Sequence, residues 1–185
     1  HMTNRALRAL ETFGKDSQIS YEEFKNYKFD LNYSKNSHMA TLVSRSIDLL
    51  KNNKNMFADI KNNALSKAEN ILSQWDLSSN EDNINTALPV ISFGRILDVH
   101  PDEFTDEMII EKLSYGMTYL LEYFEKLDVR WGEINRLIRG NKNIQLSGAP
   151  DVPRAIYPTP IENGQLKAIA GDCYILLAQW DKNGQ

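Results

Sequence analysis

Residues 131–153, WGEINRLIRGNKNIQLSGAPDVP, divide the chain in two. Upstream of Trp131, apolar residues recur at three- and four-residue steps, the spacing of helices that bury one face. Downstream of Arg154 the period shortens towards two, the spacing of strands. The expected fold is therefore mainly α-helical, with about five or six helices and a short C-terminal β portion. A helical segment over 3–130 would lead into a block over 131–185 that holds this stretch and the strands. Within the stretch, Trp131 is expected to plug the core while Gly132 permits close backbone approach. Arg136 and Arg139 flank Leu137-Ile138, so a guanidinium fork is placed to bond carbonyls of the following loop.

Upstream, Thr3–Phe13 predicts a helix capped by Thr3 or Asn4, burying Leu7 and Leu10 together with Ala6 and Phe13. Gly14 stands where a helix end often takes a left-handed residue. Ser20-Tyr21-Glu22-Glu23 is a capping box opening a second helix, with Phe24 and Tyr27 facing one way. A third helix, Ser37–Leu50, would bury Met39, Leu42, Val43, Ile47 and Leu50 before asparagines from Asn52 to Asn55 interrupt it. The fourth is expected over Met56–Trp75, buried through Ile60, Ala64, Leu65, Ala68, Ile71, Leu72 and Trp75. Asp76–Asn83 reads as a polar loop. The fifth pattern starts at Ile84 but contains Pro89, so regular helix is expected mainly over Pro89–Leu97. The longest helix, Thr105–Leu127, carries the stripe Ile109, Leu113, Met117, Leu120, Leu121 and Phe124, with Gly116 admitting a close neighbour. Gln165–Ala170 and Asp172–Trp180 read as strands, with turns at Asn163-Gly164 and Asn183-Gly184.

The formal charge of −4, with Lys and Arg scattered, offers no basic face for nucleic acid or for an anionic membrane surface. No apolar run approaches the roughly 18 residues of a membrane span, and no leader pattern is visible. A single cysteine, Cys173, excludes an intrachain disulfide and a multi-cysteine zinc site. His1-Met2 reads as a cloning remnant, and the run that follows it, like the final DKNGQ, as a cut end of a longer protein.

Candidate chemistry is thin. Cys173 is internal and reads as a small strand residue rather than a nucleophile. His38 and His100 read as exposed loop histidines, and no G-x-S-x-G elbow accompanies them. The acidic pairs Glu22-Glu23, Glu81-Asp82, Asp102-Glu103 and Asp106-Glu107 fall at helix starts or in a polar loop, where the helix dipole favours them. They lack the spacing of a calcium loop. The Gly148-Ala149-Pro150-Asp151 turn has no phosphate-cradling pattern.

Three blocks in order, WGEINRLIRG, SGAPDV-RAIY and GDCYILLAQWDKNG, resemble the late β-subunit of penicillin acylase-type amidases. The likeness is greatest to the aculeacin and acyl-homoserine-lactone acylase branch, and RALRALE with ISYEEFKNYKFDLNYS extends it upstream. The resemblance implies a piece of an N-terminal-nucleophile hydrolase with an αββα core, made as an exported, periplasmic or secreted precursor that cleaves itself into two chains. The complete enzyme would hydrolyse an N-acyl amide (a β-lactam side chain, an acyl-homoserine lactone or a lipopeptide acyl group) through a serine at the start of the β-subunit. No such serine segment matches this sequence, so no catalytic residue is assigned. Trp131, Gly132, Asn135, Arg136, Gly148, Gly171 and Tyr174 are assigned as scaffold positions. The implied partners are the α-subunit and the rest of the β-subunit. Some relatives bind calcium, but none of those ligands matches a position here, and no cofactor is assigned to this chain. The alternative is a free-standing helical binding or interaction module without catalysis.

Overall fold

The computed structural model describes residues 2–57, 60–171 and 175–180. Among them are seven α-helices and one four-stranded sheet, so the class is α+β with the helices first. The helices are α1 (Asn4–Glu11), α2 (Tyr21–Lys28), α3 (His38–Asn52), α4 (Asn62–Gln74), α5 (Ala87–Phe93), α6 (Asp106–Phe124) and α7 (Trp131–Ile134). The strands are β1 (Asn135–Arg139), β2 (Lys142–Gln145), β3 (Ile156–Pro160) and β4 (Leu166–Gly171). Their order in the sheet is β2-β1-β4-β3, with β1 and β4 parallel and the outer pairs antiparallel.

The core lies among α3, α4, α5 and α6 and continues through Trp131 and Ile134 to the inner face of the sheet. Ser37 and Thr105 cap α3 and α6 by accepting from Ala40 and Met108 backbone N–H groups. The α3 stripe is buried at Met39, Leu42, Val43 and Leu50, with Ile47 half-buried. On α6, Ile109, Leu113, Met117 and Leu120 are buried while Leu121 turns outward. Gly116 brings α6 onto α5: a Cβ there would run into the Ser92 hydroxyl.

Several elements differ from the sequence expectation. Helix α1 packs by its polar side: Asn4 is buried, whereas Leu10 is 54 % exposed. Gly14 lies in a 3-10 turn, Phe13–Lys15, outside the left-handed region. Helix α4 starts at Asn62, not Met56, because a 3-10 turn at Lys54–Met56 follows α3 first. Helix α5 is short, ending at Phe93 rather than Leu97. Pro89 sits in its first turn, where backbone N–H groups have no helical acceptor to lose.

The β portion begins earlier than the period-two pattern. The WGEINRLIRG block is helix for one turn and then strand, with Gly140 and Asn141 turning β1 into β2. The expected strand Gln165–Ala170 is β4, but Ile175–Trp180 forms no strand, since no ladder partner lies beside it among the described residues. Cys173, Tyr174 and the Asn183-Gly184 turn lie outside the described residues.

The Asn163-Gly164 turn joins β3 to β4, with Gly164 at φ +76°. Its carbonyl accepts from the Tyr119 hydroxyl at 2.9 Å. A Cβ at Gly164 would overlap Cβ and Cγ of Tyr123, the unyielding base of that side chain. Gly164→Ala is expected to cost about 2–4 kcal/mol from left-handed strain and overpacking together. A urea melt would read it as a lowered midpoint at unchanged slope; an unshifted midpoint would mean that the sheet does not depend on this contact.

Candidate functional site

At the junction Trp131 is buried as expected, and most of the polar groups around it are bonded to neighbouring backbone. Trp131 is fully buried, and its indole N–H donates to the Gly148 carbonyl at 2.8 Å. Asn135, also fully buried, donates its side-chain N–H groups to the Leu146 and Gly148 carbonyls at 2.9 and 3.1 Å. Its side-chain carbonyl is buried without a partner. Gly148 turns the chain so that its carbonyl meets both donors; it has φ +99°, and a Cβ would lie 2.5 Å from the Arg154 carbonyl. Gly132 donates to the Glu81 carbonyl at 2.7 Å, and a Cβ there would stand 2.8 Å from that of Glu81. The Ser147 hydroxyl closes the same contact on the Glu81 carboxylate.

Arg136 does use its fork on carbonyls, donating to Gly132 at 2.7 Å and Asn143 at 2.8 Å. The Asn143 acceptor belongs to β2, not to a loop. Arg139 donates to the Ile138 and Ala168 carbonyls, tying β1 to β4. Gly171 ends β4 opposite Ile156, close to the Ala155 carbonyl. Tyr174 lies outside the described residues. The junction is thus a fastening between the 76–83 loop, the 147–152 segment and the sheet.

The histidines come together, which their separation of 62 positions did not reveal. Their rings stand edge to face with centroids 5.2 Å apart. His38 is the first residue of α3 and half-buried, with Nδ1 3.1 Å from the Leu97 carbonyl, so it is not the exposed loop residue expected. His100 is exposed, and its Nδ1 accepts from the Asp102 backbone N–H. Among the described residues no group of three His, Cys, Asp or Glu side chains is arranged to hold a metal ion. The acidic pairs occupy the first turns of α2 and α6, the 3-10 turn Pro101–Glu103 and the 76–83 loop.

A second polar assembly anchors α1. The Asn4 side chain donates to the Asn32 and Asp151 carbonyls and accepts from the Ser34 backbone N–H at 2.7 Å. The Arg8 guanidinium pairs with Asp30 at 2.5 Å and Glu11 at 2.7 Å. The Ser34 hydroxyl and Arg8 hold the Glu11 carboxyl below its ordinary pKa. Tyr33, fully enclosed, donates its hydroxyl to the Pro150 carbonyl at 2.6 Å, and burial pushes its pKa well up.

These anchors shape the floor of an open apolar groove of about 620 Å³. Its walls are Leu97 and Arg95 after α5, Pro150 and Asp151 of the anchored turn, and Tyr157, Pro158 and Ile169 of the sheet. A smaller hollow of about 50 Å³ adjoins it, sharing Gly94, Arg95, Pro150 and Pro158 and reaching Tyr115 and Tyr119 on α6. Tyr119 titrates at about 12, raised by burial and then by its neighbours Tyr115 and Tyr123. The groove was not legible in the sequence, since its walls come from α1, the α5 end, the 150–151 turn and the sheet. Among the described residues no helix is long and apolar enough to cross a membrane. Compared with models of known protein families the chain matches none, and no curated protein matches it either.

Proposed function

We propose that the chain is a non-catalytic segment of a penicillin acylase-type amidohydrolase, whose complete form hydrolyses an N-acyl amide through an N-terminal serine. The single observation that supports this most is the use made of the WGEINRLIRG block. Trp131, Gly132, Asn135 and Arg136 all donate to neighbouring backbone carbonyls, as a framework element would. The apolar side chain of Ile144, 52 % exposed on β2, fits a sheet layered against more protein in the complete enzyme. Its partners are then the rest of the same precursor, and its compartment is that of an exported protein.

The test is an assay of a chromogenic N-acyl amide with this chain and with the full-length product of its gene. The full-length product is expected to turn over and this chain is not. Hydrolysis by this chain alone, or none by the full-length product, would overturn the proposal. Cys173→Ala in the full-length product is expected to leave turnover within about twofold, since an internal cysteine lacks the free α-amine that serves as base in this chemistry. Abolished turnover would reassign Cys173 as a nucleophile.

The second reading is a helical binding module that works by itself. The closed core of α3 to α6, with Leu42, Leu50, Leu88, Leu113 and Met117 fully buried, favours it. A monomer with one cooperative melt would support the module. Self-association and binding of a hydrophobic dye would support the segment, through apolar sheet surface that has lost its cover.

A further inference from the structure

The large groove carries an inference of its own, independent of the acylase reading. We propose that it is a binding site for a small amphipathic carboxylate, with the head group on Arg95 and the apolar body against Pro150, Tyr157, Pro158 and Ile169.

Arg95 carries the first half. Among the described residues it is the one arginine whose guanidinium makes no hydrogen bond, ion pair or ring contact. The other seven are taken up by carboxylates, by carbonyls or by the Phe29 ring. Arg95 stands where the two hollows meet and lines both. A planar fork beside apolar walls suits a carboxylate, which it can grip by two parallel bonds.

The walls carry the second half. A volume of about 620 Å³ lies within the range that encloses a small organic ligand. The floor is fixed before any ligand arrives. Gly94 closes α5 by donating to Val90, and a Cβ there would stand 3.4 Å from the Pro150 ring. Pro150 is held by the Tyr33 hydroxyl, and Asp151 by the Asn4 backbone N–H at 2.8 Å. A preformed site spends little of its binding energy on ordering itself.

Charge selects the head group. Arg5 and Asp151 face each other at 3.6 Å and offset one another, leaving Arg95 and the exposed Asp98 on the rim. Asp98 makes no ion pair with Arg95, so an anion meets a guanidinium that no carboxylate already holds.

Octanoate, octanol and octylamine, titrated into the chain and followed by NMR, separate the contributions. Octanoate is expected to saturate, and to bind about tenfold more tightly than octanol or octylamine. Arg95→Gln should remove that tenfold preference, and Ile169→Asp should weaken octanoate and octanol alike. Both side chains are exposed, so neither change threatens the fold. Octanol binding as tightly as octanoate would reduce the site to a greasy surface and overturn the proposal. So would tighter octylamine, which would make Asp98 the dominant group, an Arg95→Gln variant that binds unchanged, or no saturation by any of the three.

Discussion

Trp131→Ala is expected to lower the stability of this chain by about 3–5 kcal/mol, the range for truncating a buried large aromatic. At a slope of about 2 kcal/mol/M this moves a urea midpoint down by roughly 2 M. Two losses combine. The indole is fully buried at the point where the helical core meets the sheet, so its removal leaves a cavity there. Its N–H also holds the Gly148 carbonyl, which the Asn135 amide shares. Trp131→Phe separates the two, since it keeps most of the apolar volume and loses the donor. It is expected to cost about 1–2 kcal/mol. Equal costs for the two variants would mean that the hydrogen bond, rather than the volume, fastens the junction.

Asn4→Ala is expected to cost about 3 kcal/mol, though α1 is short and lies far from the middle of the core. The side chain makes three hydrogen bonds, and the change leaves the Ser34 N–H and the Asn32 carbonyl buried or half-buried without it. The loss should be local first. Arg8 still pairs with Asp30 and Glu11, so α1 would loosen from its N-terminal end. Amide exchange is expected to quicken along 4–11 and 31–34 before it quickens in α3 or α6. Uniform quickening across the whole chain would show that α1 docking and the core form one cooperative unit.

These residues mark how far the sequence could be read. Helices α3 and α6 were legible because each carries a long apolar stripe and a Ser or Thr cap, and both signals are local. The close approach at Gly116 was legible for the same reason, as a costly residue in an otherwise regular helix. The α1 face was not. Leu7 and Leu10 have the spacing of a buried stripe, but the partner surface of Asn32, Ser34 and Asp151 is polar, so the polar face docks instead. Nor could the strand in Asn135–Arg139 be seen, because Leu137-Ile138 between two arginines shows too little alternation to declare a strand. Its register is set by β2 and β4, the latter 31 positions away.

The helical first part, a β portion after it, the turn at Gly164 and a buried Trp131 were legible in the sequence, since each rests on side-chain period or on backbone freedom within a few residues. Only the folded chain settles which face of α1 is buried, where α4 and α5 begin and end, and that residues 175–180 pair with no strand among the described residues. It also settles the meeting of His38 with His100 and of Arg95 with Pro150, Tyr157 and Ile169. The physical reason is common to all of these: each depends on a partner surface supplied from a distant part of the chain, and local spacing carries no record of that surface.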